Sequence, residues 1–387
     1  MPPPGSFPLI WNFAMKLTLE RAPLLAALGR ASRVVERRNT IPILANLRLD
    51  AAASALRIVA TDLDIEIAQS LAAEVSMPGS TTAPAHTLHE IVRKLPEGAQ
   101  VQLETAGDRG TLTVRADRSR FSLQTLPESE FPDLSTVEGG CVITLPGKDL
   151  SQAIGQVEFA ISTEEARYYL NGIYLHPREG KLGLVATDGH RLSLMSLALA
   201  LPEGLPGVIL PRKAVGEVKK LAEAADKADI TLEISTHKLA AEFAGARLTT
   251  KLIDGTFPDY GRVIPTGNAR VATLEAADLL AAVARVGTIA SERGRAVKFT
   301  FTSGRLVLAV TNPDAGEASE EIDCAYDAED LEIGFNGKYV EDALTRTAST
   351  GPIEIALNDP GSPALIRRAP SDTPTPDALC VLMPMRV

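Results

Sequence analysis

Leu184-Val185-Ala186-Thr187-Asp188-Gly189-His190-Arg191-Leu192 is the stretch on which the fold is decided. Leu182, Leu184 and Val185 end a buried strand, Thr187 to Arg191 make a polar turn, and Leu192 and Leu194 open a second strand. Gly189 supplies a position free to take positive φ. Two plainer versions of the unit occur elsewhere, at Ile58-Val59-Ala60-Thr61-Asp62-Leu63-Asp64 and at Leu308-Ala309-Val310-Thr311-Asn312-Pro313-Asp314. With threonines at 61, 187 and 311, the unit recurs about every 125 residues. The chain is therefore a threefold repeat, and only its middle copy carries Gly-His beside the turn; the others have Leu-Asp and Pro-Asp.

Each third opens with an alternating strand and an amphipathic helix. The strands are Lys16–Glu20, Val142–Leu145 and Val271–Leu274. The helices run through Leu24, Leu25 and Leu28, through Leu150, Ile154 and Val157, and through Leu279, Leu280, Val283 and Val286. Asp149 and Asp278 sit near the helix starts. A strand is expected next at Ile43–Leu49, Leu170–Leu175 and Val297–Thr302, followed by the strand-turn-strand unit. A second helix follows at Leu88–Leu95, Ala214–Ala224 and Tyr339–Ala348. Closing strands are read at Val101–Leu103, Phe121–Leu126, Ile230–Ile234, Leu248–Leu252, Ile353–Leu357 and Cys380–Met383. Phe131-Pro132-Asp133 and Phe257-Pro258-Asp259 mark two junctions, since proline disfavours further helix. The expected domains are 15–137, 138–263 and 264–387, each α+β with two helices against antiparallel sheet. Met15 reads as the natural start, leaving residues 1–14 as a disordered or artefactual extension.

The chain has 387 residues, 45% hydrophobic and 23% charged, an ordinary globular composition. Cys141, Cys324 and Cys380 are scattered and odd in number, which suits reduced thiols in a cytoplasmic setting and neither a disulfide framework nor a zinc site. No run reaches the ~18 apolar residues of a membrane span, so no membrane partner is expected. The net charge of −10 argues against a protein that coats nucleic acid with its whole surface, but charge is unevenly placed. Arg21, Arg30, Arg33, Arg37 and Arg38 stand against Glu20 and Glu36, and Arg212, Lys213, Lys219 and Lys220 against Glu217. Asp314 to Glu332 holds nine acids and no base. Recurrence of basic helices in an acidic chain points to a shared basic face that meets phosphate backbone without reading sequence.

Catalytic chemistry finds little support. His86-x-x-His89 has helical metal-pair spacing but no third ligand nearby, so no metal or cofactor is expected. Phosphate loop, nucleophile elbow and HExxH motifs are absent. Asp62 and Asp64 match Asn312 and Asp314, which suits turn formation better than acid–base work. His190 and Arg191 beside the middle turn, confined to one copy, are not needed for the shared fold and point to a binding site. The tail Val381-Leu382-Met383-Pro384-Met385-Arg386-Val387 adds adaptable, sulfur-rich apolar surface. A hydrolase using Asp188 and His190, or a monomeric peptide-binding adaptor, is the competing reading.

Arg167-Tyr168-Tyr169-Leu170-Asn171-Gly172, Ala186 to Leu192, Phe257-Pro258-Asp259-Tyr260 and Val381 to Arg386 together resemble the bacterial DNA polymerase III beta subunit, the sliding clamp, from Met15 to the last residue. The resemblance implies a non-enzymatic processivity factor built of three tandem clamp domains, closed as a head-to-tail homodimeric ring around duplex DNA. It implies a loader and polymerase partners, including the DNA polymerase III alpha subunit and repair factors, which insert a short glutamine-containing peptide. The implied peptide pocket is Leu170, Thr187, Gly189, His190, Arg191, Leu192, Pro258, Arg262, Val263, Val381, Leu382, Met383, Pro384, Met385 and Arg386. His190, Arg191 and backbone groups would orient the peptide. Implied DNA contacts are Arg38, Tyr168 and Tyr169, with Arg212 and Lys213 on the basic helix; the implied subunit contact joins Phe121 and Leu123 to Thr288 and Ile289. Two departures stand out: Gly261 where a basic residue is frequent, and Thr288 where a larger apolar residue is usual.

Overall fold

Alternation of apolar and polar residues on either side of each Thr-Asp or Thr-Asn turn produces three antiparallel hairpins. They are Ala55–Thr61 with Ile65–Ala72, Lys181–Thr187 with Arg191–Leu197, and Arg305–Asn312 with Gly316–Asp323. The computed structural model describes residues 15–105, 110–134, 136–290, 296–347, 351–370 and 377–387; the extension expected at residues 1–14 lies outside them. Six helices are described: α1 Arg21–Val34, α2 Ala85–Lys94, α3 Gly147–Val157, α4 Arg212–Ala225, α5 Ala276–Val286 and α6 Gly337–Thr347. Each buries one stripe. In α1 this is Leu24, Ala27, Leu28, Ala31 and Val34, the i, i+3, i+4, i+7 spacing of a helix laid on a sheet.

The described residues divide into two units that do not follow the repeat. One holds residues up to Gly139 together with Thr231–Glu233 and Lys238–Lys251. Its first sheet orders Glu74–Met77, Lys16–Glu20, Gln100–Thr105, Thr111–Ala116 and Ser119–Gln124. In its second, the hairpin Lys238–Phe243/Ala246–Lys251, which by sequence belongs to the middle repeat, pairs onto Ile65–Ala72 from Ala246↔Gln69 to Thr250↔Ile65. Ala55–Thr61, Asn46–Ala52 and Gly79–Pro84 extend that sheet.

The other unit carries α3 to α6. Its eight-stranded sheet runs Val208–Pro211, Gly172–Arg178, Lys181–Thr187, Arg191–Leu197, Asp377–Leu382, Ala364–Arg368, Pro352–Leu357 and Arg270–Glu275. The middle and last repeats therefore share one sheet, joined where Arg191–Ser196 runs antiparallel to Leu382–Asp377. A four-stranded sheet, Gly316–Asp323, Arg305–Asn312, Ala296–Thr302 and Leu331–Asn336, completes the last repeat over a core of Phe299, Phe301 and Phe335.

Two expected strands begin late. Pro42–Ala45 and Glu165–Leu170 form 3₁₀ turns, and the strands start at Asn46 and Gly172. Ile43, Leu44 and Leu170 are buried as a strand pattern would have them, but they plug apolar clusters from a tight turn. Short strands such as Glu74–Met77, Val208–Pro211 and Ala364–Arg368 carry too little alternation to be read in advance.

Helices α3 and α4 meet closely at Gly147. A Cβ there would fall inside contact distance of the Ala222 carbonyl oxygen and 2.6 Å from the Ala225 Cβ. Gly147→Ala is expected to lower stability by about 1–3 kcal/mol through overpacking, read as an earlier urea midpoint.

Candidate peptide-binding site

The middle turn is held by its own side chains. Thr187 Oγ1 donates to the Arg191 carbonyl at 2.7 Å and accepts from Gly189 N at 3.1 Å; Asp188 Oδ1 accepts from His190 N at 2.9 Å and Arg191 N at 3.0 Å. The other copies are built alike. Thr61 Oγ1 accepts from Leu63 N at 3.0 Å, Asp62 Oδ1 from Asp64 N at 2.9 Å and Ile65 N at 2.7 Å, and Asn312 Oδ1 from Asp314 N at 3.0 Å. Thus Asp62 and its counterparts are turn-forming groups, as their pattern indicated. Asp188 also bonds backbone and arginine, not the His190 ring, so the hydrolase dyad is not assembled.

Gly189 has φ +87°, and a Cβ on it would lie 2.6 Å from Arg167 Nη1. Arg167 is itself clamped by Glu164 at 2.8 and 2.6 Å, which holds that carboxyl below its usual range. The close approach that requires glycine here is therefore internal.

Arg191 corrects one expectation. Instead of reaching outward to orient a peptide, its guanidinium donates to Asp188 Oδ2 at 3.0 Å, Asp342 Oδ2 at 2.7 Å and the Phe159 carbonyl at 2.7 Å. It also stacks over Tyr339 at 4.3 Å and Phe159 at 5.1 Å. Asp342 and Tyr339 belong to α6, so Arg191 ties the turn of the middle repeat to a helix of the last. The exposed His190 ring lies 6.5 Å from the Tyr339 ring, and the His190 carbonyl accepts from Met383 N at 2.9 Å. The tail continues beyond Pro384 with Met385 N donating to the Gly334 carbonyl at 2.8 Å. Met383, Pro384 and Met385 stay half-buried along this path, while Arg386 is exposed.

Leu170, Leu192 and Val381, distant in sequence, join Val185, Ile209 and Phe257 in one apolar cluster. Leu382 is buried in the core beneath the last repeat. Pro258, Arg262 and Val263 are exposed on the following segment, which Phe257, Tyr260 and Ile264 anchor to the cluster. Sequence reading missed what holds that segment. Tyr174 stacks between Phe257 at 4.8 Å and His176 at 4.5 Å, and the Tyr260 hydroxyl lies 2.9 Å from His176 Nε2. His176 Nδ1 lies 2.8 Å from the Pro177 carbonyl, which can only accept, so Nδ1 carries the proton and the Tyr260 hydroxyl donates to Nε2. Burial lowers the His176 pKa from its ordinary value. Only the alternation of Tyr174 and His176 on one face of a strand signalled the pair.

The other expected residues are distributed more loosely. Arg38, Tyr168, Arg212 and Lys213 are exposed, and Tyr169 packs edge-on to Tyr168 at 5.7 Å. Several cations of the expected basic face are instead engaged within the fold. Arg21 caps the Val92 and Arg93 carbonyls of α2 at 3.0 and 2.8 Å, Arg30 holds Gln69 at 2.9 Å, Lys219 pairs with Glu158 at 2.5 Å and Lys220 with Glu217 at 2.7 Å. Phe121 is exposed on strand Ser119–Gln124 and Leu123 faces inward; Thr288 Oγ1 donates to the Ala284 carbonyl at 3.2 Å and Ile289 packs on the last core. His86 Nε2 lies 3.1 Å from the Val35 carbonyl, and no group of three metal-ligating side chains occurs among the described residues. Burial pushes the Cys324 thiol up to about 11 and Cys380 also upward, so neither is a ready thiolate. No helix among the described residues is long and apolar enough to cross a membrane.

Three repeats of one two-helix domain, two of them sharing a sheet beside a decorated turn and a methionine tail, define the clamp class of repeat protein. The chain belongs to the DNA polymerase III beta subunit family, the sliding clamps, which are processivity factors rather than enzymes. The family's N-terminal domain matches residues 15–135, its central domain 144–259 and its C-terminal domain 261–386. The beta sliding clamp of Caulobacter vibrioides is 48% identical over 381 residues, covering 96% of this chain and 100% of the relative. That of Escherichia coli K12 is 36% identical over 376 residues, with 96% and 100% covered. Among solved structures, a sliding clamp from Bartonella birtlesii bound to griselimycin superposes with a TM-score of 0.91 at 43% identity, covering 97% and 100% of the two chains.

Removing the Arg191 guanidinium takes one donor each from Asp188, from Asp342, which keeps Lys338 at 2.9 Å, and from the Phe159 carbonyl. Arg191→Ala is expected to cost about 2 kcal/mol in urea unfolding, with Arg191→Lys recovering only part because an ammonium cannot span all three acceptors.

Proposed function

We propose that two copies of this chain, with domains at 15–137, 138–263 and 264–387, join head to tail into a ring that encircles duplex DNA without reading its sequence. The observation that carries this reading is a pair of complementary sheet edges. Ser119–Gln124 is one outer strand of its sheet and presents Phe121 with the exposed Arg115, Arg118 and Arg120 nearby. Gly316–Asp323 is outermost in the sheet of the last repeat and carries Glu317, Glu320, Glu321 and Asp323. Unpaired edges of opposite charge favour each other over self-pairing. Phe121 and Leu123 of one copy would meet Thr288 and Ile289 of the other, with Thr288 supplying less apolar surface than a larger residue.

On the DNA side, Arg37 and Arg38 are exposed and make no ion pair with another described residue, and Arg212, Lys213, Tyr168 and Tyr169 are presented at the start of α4 and on the preceding turn. A modest set of such contacts suffices when DNA is held by topology. The peptide pocket would be floored by Leu170, Leu192 and Val381, rimmed by Pro258, Arg262, Val263, Met383 and Met385, and crossed by His190. Arg191 serves it by positioning the turn. Its occupants would be glutamine-containing segments of the DNA polymerase III alpha subunit, the loader and repair factors, in a nucleoid-associated cytoplasmic complex.

Retention on DNA tests the ring. Protein loaded on nicked circular plasmid is expected to stay bound and to leave when the plasmid is cut; persistence on linear DNA would return the adaptor reading. Independently, His190→Ala is expected to weaken binding of a glutamine-containing peptide by about 1–3 kcal/mol in a titration while leaving plasmid retention intact.

A further inference from the structure

Away from the peptide site, α3, α4 and α6 enclose a polar notch of about 550 Å³. Its functional lining comes from Gln152 of α3, Lys219 and Glu223 of α4, Arg346 of α6 and Arg368 of the adjacent strand. We propose that this notch binds a phosphate group, held between the guanidinium groups of Arg346 and Arg368. The two sources of that group are the backbone of the encircled duplex and free phosphate. The duplex source rests on the DNA reading above, whereas free phosphate does not.

The lining keeps donors that the fold does not use. Arg368 Nε donates to the Thr347 carbonyl at 3.0 Å, which fixes the guanidinium plane and leaves its two terminal amino groups for a ligand. Arg346 makes no ion pair or hydrogen bond with another described residue, although it stands on a helix whose neighbour Thr347 is buried. Gln156 Nε2 donates to Thr347 Oγ1 at 3.1 Å and that hydroxyl also lies 3.1 Å from Cys380 Sγ, so the floor is engaged within the fold. Ser151 and Thr345 spend their hydroxyl protons on the Lys148 and Glu341 carbonyls at 2.9 and 2.7 Å, so they line the notch without donating into it.

Charge points the same way. Lys219 is largely compensated by Glu158, and the exposed Glu223 is the one carboxylate of the lining, against two arginines. Gly155 keeps the wall low: a Cβ at that position would lie 3.5 Å from Lys219 Nζ. Two guanidinium groups supplied to one lining by different elements suit a tetrahedral anion, whose oxygens can accept from both. Neither Arg346 nor Arg368 makes an ion pair with another described residue, and this notch gathers both. The site also spans the middle repeat (α3, α4) and the last (α6, the strand of Arg368), so a bound phosphate would bridge the two.

The test uses the full-length protein and two probes. Inorganic phosphate alone is followed by ³¹P line broadening, and a duplex oligonucleotide by fluorescence anisotropy over a range of salt. Arg346→Ala is the informative variant, because that side chain supports no other described residue; Arg346→Lys retains the charge and is expected to keep part of the effect. If the duplex supplies the group, Arg346→Ala abolishes the ³¹P broadening, lowers duplex affinity several-fold at low salt and reduces the slope of log K against log salt by about 1. Loss of broadening with an unchanged duplex slope identifies free phosphate as the ligand. Equal broadening for the wild type and Arg346→Ala, or none for either, together with equal duplex slopes, overturns the proposal. Plasmid retention separates this from the clamp reading: the variant is expected to remain on circular DNA, and failure of the wild type to do so would indict the ring and not the notch.

Discussion

Backbone N–H and C=O groups on the outermost strand of a sheet require partners, and in this chain one repeat supplies them to the next. The middle hairpin Lys238–Phe243/Ala246–Lys251 pairs onto Ile65–Ala72 of the first repeat, and Arg191–Leu197 of the middle repeat pairs with Asp377–Leu382 of the last. Each junction is a ladder of main-chain hydrogen bonds, which fixes register as firmly as a strand pairing inside a domain. A clamp domain by itself would leave those edges bare. Two of the other outer strands, Ser119–Gln124 and Gly316–Asp323, carry opposite charge, and that is the source of the proposed closure.

The proposed binding site is a by-product of the second ladder. Pairing of Arg191 with Leu382 brings the decorated turn and the methionine tail side by side, and the His190 carbonyl then accepts from Met383. Arg191 locks the arrangement through Asp188, Asp342 and two aromatic rings. A residue that looks like a ligand contact in the sequence thus acts as a strut, and the proposed peptide recognition is left to the apolar floor, His190 and backbone groups. The segment Phe257–Val263 is brought to the same cluster by stacking on Tyr174 and by the Tyr260–His176 hydrogen bond.

Electrostatics divides into internal and external use. Arg21, Arg30, Lys219 and Lys220 spend their donors on carbonyls, an amide or carboxylates of the fold. Arg37, Arg38, Arg212 and Arg346 make no side-chain ion pair with another described residue. A count of basic residues on a helix therefore overstates the charge it offers to a polyanion, because solvation and pairing differ residue by residue.

By itself the sequence determined the threefold repeat, the six helices, the hairpins and the Thr-Asp turns. These depend on local periodicity and on side chains that bond their own backbone within four residues. Family membership was legible for the same reason, since its motifs are contiguous. Tertiary structure alone decided that Leu170 ends a 3₁₀ turn, that Arg191 faces inward and that His176 holds Tyr260. It alone also gathered Arg346 and Arg368 around one notch. The His176 and Arg191 contacts depend on partners 84 and 151 positions away, Tyr260 for His176 and Asp342 for Arg191, and no local pattern in a chain encodes which of its distant neighbours will satisfy a given donor.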